Sequence, residues 1–333
     1  MMMSSVEDAV QRLNNHDVVG MPTETVYGMA ARIDSEAGLK RIFAIKERPF
    51  FDPLIVHVQS VEQAKSLVEF WPPVADQLAK KFWPGPLTMV LRKNSQVSDL
   101  ITSGLESVGL RWPAHPIAQE LIQKVGVPLA APSANKFGRT SPTQAQHVKD
   151  EFKGEDLLVL DGGPCQVGLE STVLLIEEAS PIRLSILRKG AVLASQIAET
   201  LQGENIEFVE ELNKRTSPGH MKHHYMPAVP LILATDPAVK VSELIQQVQD
   251  RLKEIPQEVE GVKVLAPSAN IQKIEFLNLG KDPVIASREF YSKLRQAAER
   301  KPDLICFIRL PFHSTEPWAA LMERMGKAAS LTL

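Results

Sequence analysis

Apolar runs of strand length alternate with stretches of helical period along the whole chain, and turn residues separate them. Strands are predicted at residues 18–21, 54–58, 87–91 and 108–112, with helices over 61–70, 74–82 and 116–124. The opening stretch MMMSSVEDAVQRLNNHD runs straight into an amphipathic helical pattern. Residues 128–148, PLAAPSANKFGRTSPTQAQHV, predict a short strand, a polar loop and a helix beginning at Ser141. Pro142 suits a first helical turn there, and Gln144 stands three residues after the cap. Strands at 157–160, 172–176 and 183–187 and a helix over 193–201 follow. The period then disappears between residues 203 and 230, where NKRTSPGHMKHHYMPAVP reads as a linker. Beyond it come strands at 231–234, 262–266, 275–279 and 304–308, with helices over 241–253, 287–300 and 317–329. This is an α/β pattern: a large domain over 1–203, a linker or lid over 204–230, and a smaller Rossmann-like α/β layer over 231–333.

Composition narrows the class. The 333 residues are 44% hydrophobic and 23% charged, as in an ordinary globular protein, and the apolar runs are too short to cross a bilayer. No basic region followed by an apolar one opens the chain, so a cytoplasmic location and no membrane partner are expected. Cys165 and Cys306 lie far apart and offer neither a disulfide framework nor a cysteine-rich metal site. A formal net charge of -3 argues against a general nucleic-acid coat protein. An anionic ligand must therefore be met by a few placed residues.

Neither a G-x-x-x-x-G-K-[ST] phosphate loop nor a G-x-G-x-x-G turn is present, and H-E-x-x-H and paired C-x-x-C sites are missing as well. A different cradle is suggested by RIFAIKERPFFDPLIVHV, which sets Lys46 and Arg48 before a strand that carries His57. A guanidinium supplies forked donors and an ammonium a point charge, a pairing suited to triphosphate; a solvated basic patch is the competing reading. Ligands of open α/β sheets collect beyond the carboxyl ends of strands. Such ends carry the cluster GMPTETVYGMA with Thr23 to Tyr27, then Arg111, then Ser133 with Asn135, then Ser171 with Thr172. Arg111, in VGLRWP, is the candidate for a carboxylate, and Arg188 and Lys189 in LRKGAV suit phosphate. The pentapeptide APSAN occurs twice, at 131–135 and 266–270, but the flanks differ and the second copy reads as coincidence.

The segments MPTETVYGMA, AIKERPFFDPLIVHV, FWPGPLTMVL, VGLRWPAHPIAQELI, APSANKFGRTSPT, and ESTVLL followed by LRKGAV stand in the order and spacing of the YrdC-like family. The chain resembles its longer, Sua-type members, the L-threonylcarbamoyladenylate synthases, strongly over residues 6–201 and in size and pattern beyond. The resemblance implies a YrdC-like twisted open sheet with flanking helices. It also implies an enzyme that joins L-threonine, bicarbonate and ATP, with Mg²⁺, into threonylcarbamoyl-AMP and pyrophosphate. The product would pass to a tRNA threonylcarbamoyl-transfer complex, with tRNA met only indirectly or weakly. Carried over by position, Thr25, His57, Arg111 and Ser171 resemble threonine contacts, with Ala131 lining the site. Lys46, Arg48, Asp52, Ser107, Ser133, Asn135, Ser141 and Arg188 resemble the ATP side, and Tyr225 in the linker would fold over the nucleotide. No protein nucleophile is implied. Asp52 departs from the family's usual asparagine and suits a triphosphate only if it meets Mg²⁺ or points away. His220, His223 and His224 raise a metal site, which their place in a Pro/Gly-bounded loop does not favour. Two rivals share the fold: a non-catalytic module for double-stranded RNA or tRNA, and a hydrogenase-maturation carbamoyltransferase. The acidic balance weighs against the first, and the lack of acylphosphatase and zinc-finger modules against the second.

Overall fold

The structure is a computed structural model that describes residues 5–209 and 223–333. It divides into two compact units, Met1–Lys136 with Pro142–His220, and Phe137–Ser141 with Met221–Leu333. In the first unit the elements are α1 (Val6–Asn14), β1 (Val19–Met21), β2 (Gly28–Arg32), α2 (Glu36–Lys46), β3 (Ile55–His57), α3 (Val61–Lys65), α4 (Pro73–Phe82), β4 (Leu87–Arg92), α5 (Asp99–Thr102), β5 (Ser107–Arg111), α6 (Pro116–Val125), β6 (Leu129–Ala130), α7 (Ala145–Glu151), β7 (Leu158–Val159), β8 (Thr172–Glu177), β9 (Ile182–Arg188), α8 (Ala194–Thr200) and β10 (Ile206–Phe208).

One mixed sheet runs through this unit in the order β10-β9-β8-β4-β5-β3-β6-β2-β1-β7. Side chains alternate across it, and the alternation divides core from chemistry. Leu87, Met89 and Leu91 of β4, Val108 and Leu110 of β5 and Val56 of β3 join the main hydrophobic core. Their neighbours Thr88, Gly109, Arg111, Ile55 and His57 therefore take the other face. Parallel pairing of β3 with β5 sets His57 opposite Arg111 and Ile55 opposite Gly109.

Local chemistry fixes the ends of the helices. Ser5 and Asp8 form a reciprocal capping box on α1. Ser35 caps α2, which stops where Glu47 turns left-handed, leaving Lys46 in its last turn. Pro116 opens α6 and Gly126 closes it in the left-handed region.

The second unit contains β11 (Leu231–Ala234), α9 (Val241–Asp250), β12 (Glu258–Val259), β13 (Val262–Lys263), β14 (Ile274–Phe276), α10 (Pro283–Glu299), β15 (Leu304–Ile308), α11 (Ala319–Ala328) and β16 (Leu331–Thr332). Four of its strands form a parallel sheet in the order β14-β15-β11-β16.

Several expectations change. The helix expected from Ser141 begins at Ala145, with Gln144 as its cap residue. The backbone before it is engaged elsewhere: Pro142 accepts a hydrogen bond from Tyr27 N and Thr143 one from Cys165 N. The helix expected over 61–70 stops at Lys65. The stretch at 203–230 contains β10, paired in parallel with β9, and residues 210–222 of it lie outside the described residues. The strand expected at 262–266 is a two-residue partner of β12 outside the main sheet. β2, an inner strand between β6 and β1, and α2, which delivers Lys46, carry no sequence expectation.

Residues Phe137–Ser141 join the second unit through backbone bonds, from Met226 N to Gly138 O at 2.9 Å and from Thr140 N to Met226 O at 3.1 Å. Gly138 has φ +75°, and a Cβ there would lie 2.6 Å from Val262 Cγ1. Gly138→Ala is expected to destabilise the chain by ~1–3 kcal/mol, read as a lower calorimetric transition temperature; an unchanged transition would mean the loop yields without cost.

Candidate active site

The segment after β1 turns back on itself through its own hydroxyls. Thr23 Oγ1 donates to Val26 O at 2.6 Å, shares a 2.8 Å hydrogen bond with Thr25 Oγ1, and accepts from Thr25 N. Both threonines are buried. Tyr27 closes the turn: its hydroxyl donates to Gly163 O at 2.8 Å and accepts from Gly162 N at 3.0 Å. Burial pushes its phenol well above the usual range. The 131–135 segment lies along the same stretch, with Met29 N bonded to Pro132 O, Ala134 N to Tyr27 O, and Ser133 bridged to Gly28. Ala131 is buried, and a Cβ on Gly28 would meet its methyl at 3.1 Å. The second APSAN lies largely exposed in irregular chain.

Between the two threonines stands Glu24, which the sequence reading did not single out. Its Oε1 pairs with Arg111 Nη2 at 2.7 Å, with both side chains less than a tenth exposed. Its Oε2 accepts from Ala114 N at 3.1 Å. Arg111 Nε donates to Gly85 O at 3.2 Å. One edge of the guanidinium, Nε with Nη2, is thus held by the protein. Beside it, His57 is neutral: burial, with the Arg111 charge adding, pulls its imidazole down to about 3, and Nδ1 has no hydrogen-bond partner. Cys165 is buried too, its thiol pushed up to about 12 first by burial and then by Glu24, which makes it no nucleophile.

Ser171 joins this group to the strand ends opposite. Its Oγ lies 2.8 Å from Thr88 Oγ1 and accepts from Arg188 Nη2 at 3.0 Å, while its carbonyl accepts from Arg188 Nε at 3.1 Å. Gly190 permits that approach, since a Cβ there would fall 2.2 Å from Thr172 N.

The expected phosphate cations are tied into the protein. Lys46 is buried and donates to the carbonyls of Ser133, at 2.6 Å, and Asn135. Burial, then the nearby Arg48 charge, holds its ammonium well below the usual lysine range. Arg48 donates to Pro53 O at 2.9 Å and pairs with Asp52 at 2.8 Å, both side chains buried. Asp52 is thus the counter-ion of Arg48. Asn135 is buried and Ser107 half-buried. Ser141 and Tyr225 belong to the second unit. There the Tyr225 backbone is left-handed, at φ 66°, and its ring lies 4.2 Å from His224, 5.9 Å from Tyr291 and 5.3 Å from the Arg324 guanidinium. His220 lies outside the described residues, among which no cluster of three or more His, Cys, Asp or Glu stands ready for a metal.

Residues 11–190 match the family model described as "Telomere recombination", and residues 192–330 the one described as "Threonylcarbamoyl-AMP synthase, C-terminal domain". A threonylcarbamoyl-AMP synthase of Bacillus subtilis is 34% identical over 330 residues, spanning 97% of this chain and 92% of the relative. The chain belongs to the threonylcarbamoyl-AMP synthase family. A family member from Pyrococcus abyssi is 38% identical across 86% of this chain and 84% of its own. The crystal structure of P. abyssi Sua5 complexed with L-threonine superposes with a TM-score of 0.80 at 32% identity, covering 98% of this chain and 96% of that one.

Three outcomes follow for stability. Glu24→Ala strands a buried guanidinium and is expected to cost ~3–5 kcal/mol. Asp76→Ala, which breaks the exposed Lys65–Asp76 pair, should cost ~1 kcal/mol or less; equal shifts in denaturant midpoint would disprove the contrast. The His57 pKa is lower folded than unfolded, so its contribution is complete above about 6.5 and is lost as pH falls from there towards about 3. Inside that window the unfolded chain binds the extra proton, at ~1.4 kcal/mol per pH unit. His57→Asn should remove that slope from the pH dependence of the unfolding free energy.

Proposed function

We propose that this chain joins L-threonine, a one-carbon unit from bicarbonate, and ATP into threonylcarbamoyl-AMP, releasing pyrophosphate. The observation that carries this reading is the likeness, across nearly the whole chain, to relatives named for that synthesis and to a structure holding L-threonine. The same breadth of likeness speaks against the RNA-binding reading. The chain works as a nucleotidyltransferase in the cytoplasm. Its product supplies a threonylcarbamoyl-transfer complex that modifies an adenosine beside the anticodon, and tRNA is met only indirectly. None of the helices among the described residues is long and apolar enough to cross a membrane.

The chemistry asks for positioning and charge rather than a protein nucleophile. The threonine amine attacks carbon to give a carbamate, a carbamate oxygen attacks the α-phosphorus, and the bond to pyrophosphate breaks. Arg111, steadied by Glu24, takes the threonine carboxylate, while Thr25, neutral His57, Ala131 and Ser171 shape that pocket. Lys46, Arg48, Ser133, Asn135 and Arg188 serve the nucleotide, with Ser107 as a further contact and Asp52 holding Arg48. Mg²⁺ enters with ATP as part of the substrate and offsets charge developing on pyrophosphate. Lys46 is poised for this: an arriving triphosphate favours its charged form, against the burial that disfavours it now.

The test is pyrophosphate release with ATP and Mg²⁺, leaving out L-threonine or bicarbonate in turn. Release is expected only with both, with labelled threonine appearing on AMP. Arg111→Ala should raise the KM for threonine ~100-fold or abolish its use, in line with losing a charge-assisted contact. Lys46→Ala should mainly weaken ATP use. Equal losses for both substrates in both variants would overturn the division of roles.

A further inference from the structure

The connection from β7 to β8 is irregular chain over residues 160–171, and its first half is fastened at every second residue. The Tyr27 hydroxyl donates to Gly163 O and accepts from Gly162 N. Cys165 N donates to Thr143 O at 2.9 Å, and Val167 N donates to Glu24 O at 2.8 Å. A further hold comes from the start of α6. His115 caps that helix through Nδ1, which accepts from Ile117 N at 3.2 Å, so the ring proton lies on Nε2, 3.3 Å from Gly162 O. Gly162 is pressed between this ring and the turn after β1: a Cβ there would fall 2.5 Å from His115 Cε1 and 2.7 Å from Pro22 Cβ. The fastened stretch thus runs from Tyr27 to Glu24, whose carboxylate pairs with Arg111, and the chain then continues to Ser171.

We propose that residues 162–167 are a brace for the threonine side of the site, and that Tyr27, assisted by His115, is a positioning residue that acts on Arg111 through the brace and Glu24. The proposal rests on the synthase reading given above, in which Arg111 takes the threonine carboxylate. The Tyr27 hydroxyl is engaged on both sides by the brace, so its influence on the substrate passes through other residues. Val167 N holds the Glu24 backbone, and Glu24 in turn holds Arg111 Nη2 while its second oxygen is tied to Ala114 N. A guanidinium meets a carboxylate in a forked pair only when it is closely aimed, and supports behind it set that aim. Lys46 and Arg48 hang on other carbonyls, those of Ser133, Asn135 and Pro53, so the brace bears on threonine rather than on ATP. Linkage runs both ways: a brace that aims Arg111 at a carboxylate is itself steadied when the carboxylate binds.

Cys165 lies buried within the brace, and the chain's other cysteine is Cys306. In a Cys306→Ser background, labelling by a soluble aromatic disulfide therefore reports opening of the brace. Tyr27→Phe keeps the ring and removes both hydroxyl bonds. It is expected to speed Cys165 labelling ~10-fold and to raise the threonine KM ~5–20-fold, with the ATP KM and kcat within ~twofold of the parent. L-threonine should slow the labelling of this variant, and should lose that effect when Arg111→Ala is added. His115→Asn keeps a good helix cap but cannot reach Gly162 O; it should raise the threonine KM ~2–5-fold, and it decides the matter if Tyr27→Phe does not fold. Labelling at the parent rate or an unchanged threonine KM in the folded variants would overturn the proposal. So would equal rises in the threonine and ATP constants, the mark of a general loss of structure. A parent protein whose pyrophosphate release does not depend on threonine would instead sink the synthase reading, while the labelling rates would still report on the brace.

Discussion

The buried pair of Glu24 with Arg111 is the interaction on which the candidate site turns. Two opposite charges taken from water are tolerated only with close geometry and further bonds for their remaining atoms. Here Ala114 N takes the second carboxylate oxygen and Gly85 O takes the guanidinium Nε. The pair thereby ties the turn after β1 to the end of β5 and aims the remaining edge of the arginine. It also sets the state of its neighbours: the arginine charge helps keep His57 neutral, and the glutamate helps keep the Cys165 thiol protonated.

The same rule governs the cations assigned to the nucleotide in the proposed function. A protein carrying several cations for an anionic nucleotide must keep them from repelling one another when the nucleotide is away. Lys46 is held on two carbonyls, Arg48 on Asp52, and Arg188 on Ser171. Each donor is held by protein partners, so under the proposed function little side-chain ordering would remain for binding to impose.

Much of this was legible in the chain. Alternation of apolar and polar positions along β3, β4 and β5 separates core from outward residues because strand side chains repeat every two positions. Arg111, His57, Lys46 and Arg48 were recognisable as a scarce set of cations and an imidazole at strand and helix ends. Glu24 was hidden by its setting: an acid between two threonines in a turn reads as surface until Arg111, far along the chain, is folded against it. The helix start at Ala145 was misread for a related reason. Ser141, Pro142 and Gln144 have the local chemistry of a helix start, and bonds from Tyr27 and Cys165 outweigh it.

The sequence by itself determined the α/β class, the order of most strands and helices, and the family to which the chain belongs, since these rest on periodicity and on motifs read in order. Tertiary structure alone decided which charges pair and which hydroxyls meet. Those outcomes depend on distances between residues remote in sequence, such as Glu24 and Arg111 or Thr88 and Ser171, and no local pattern encodes such distances.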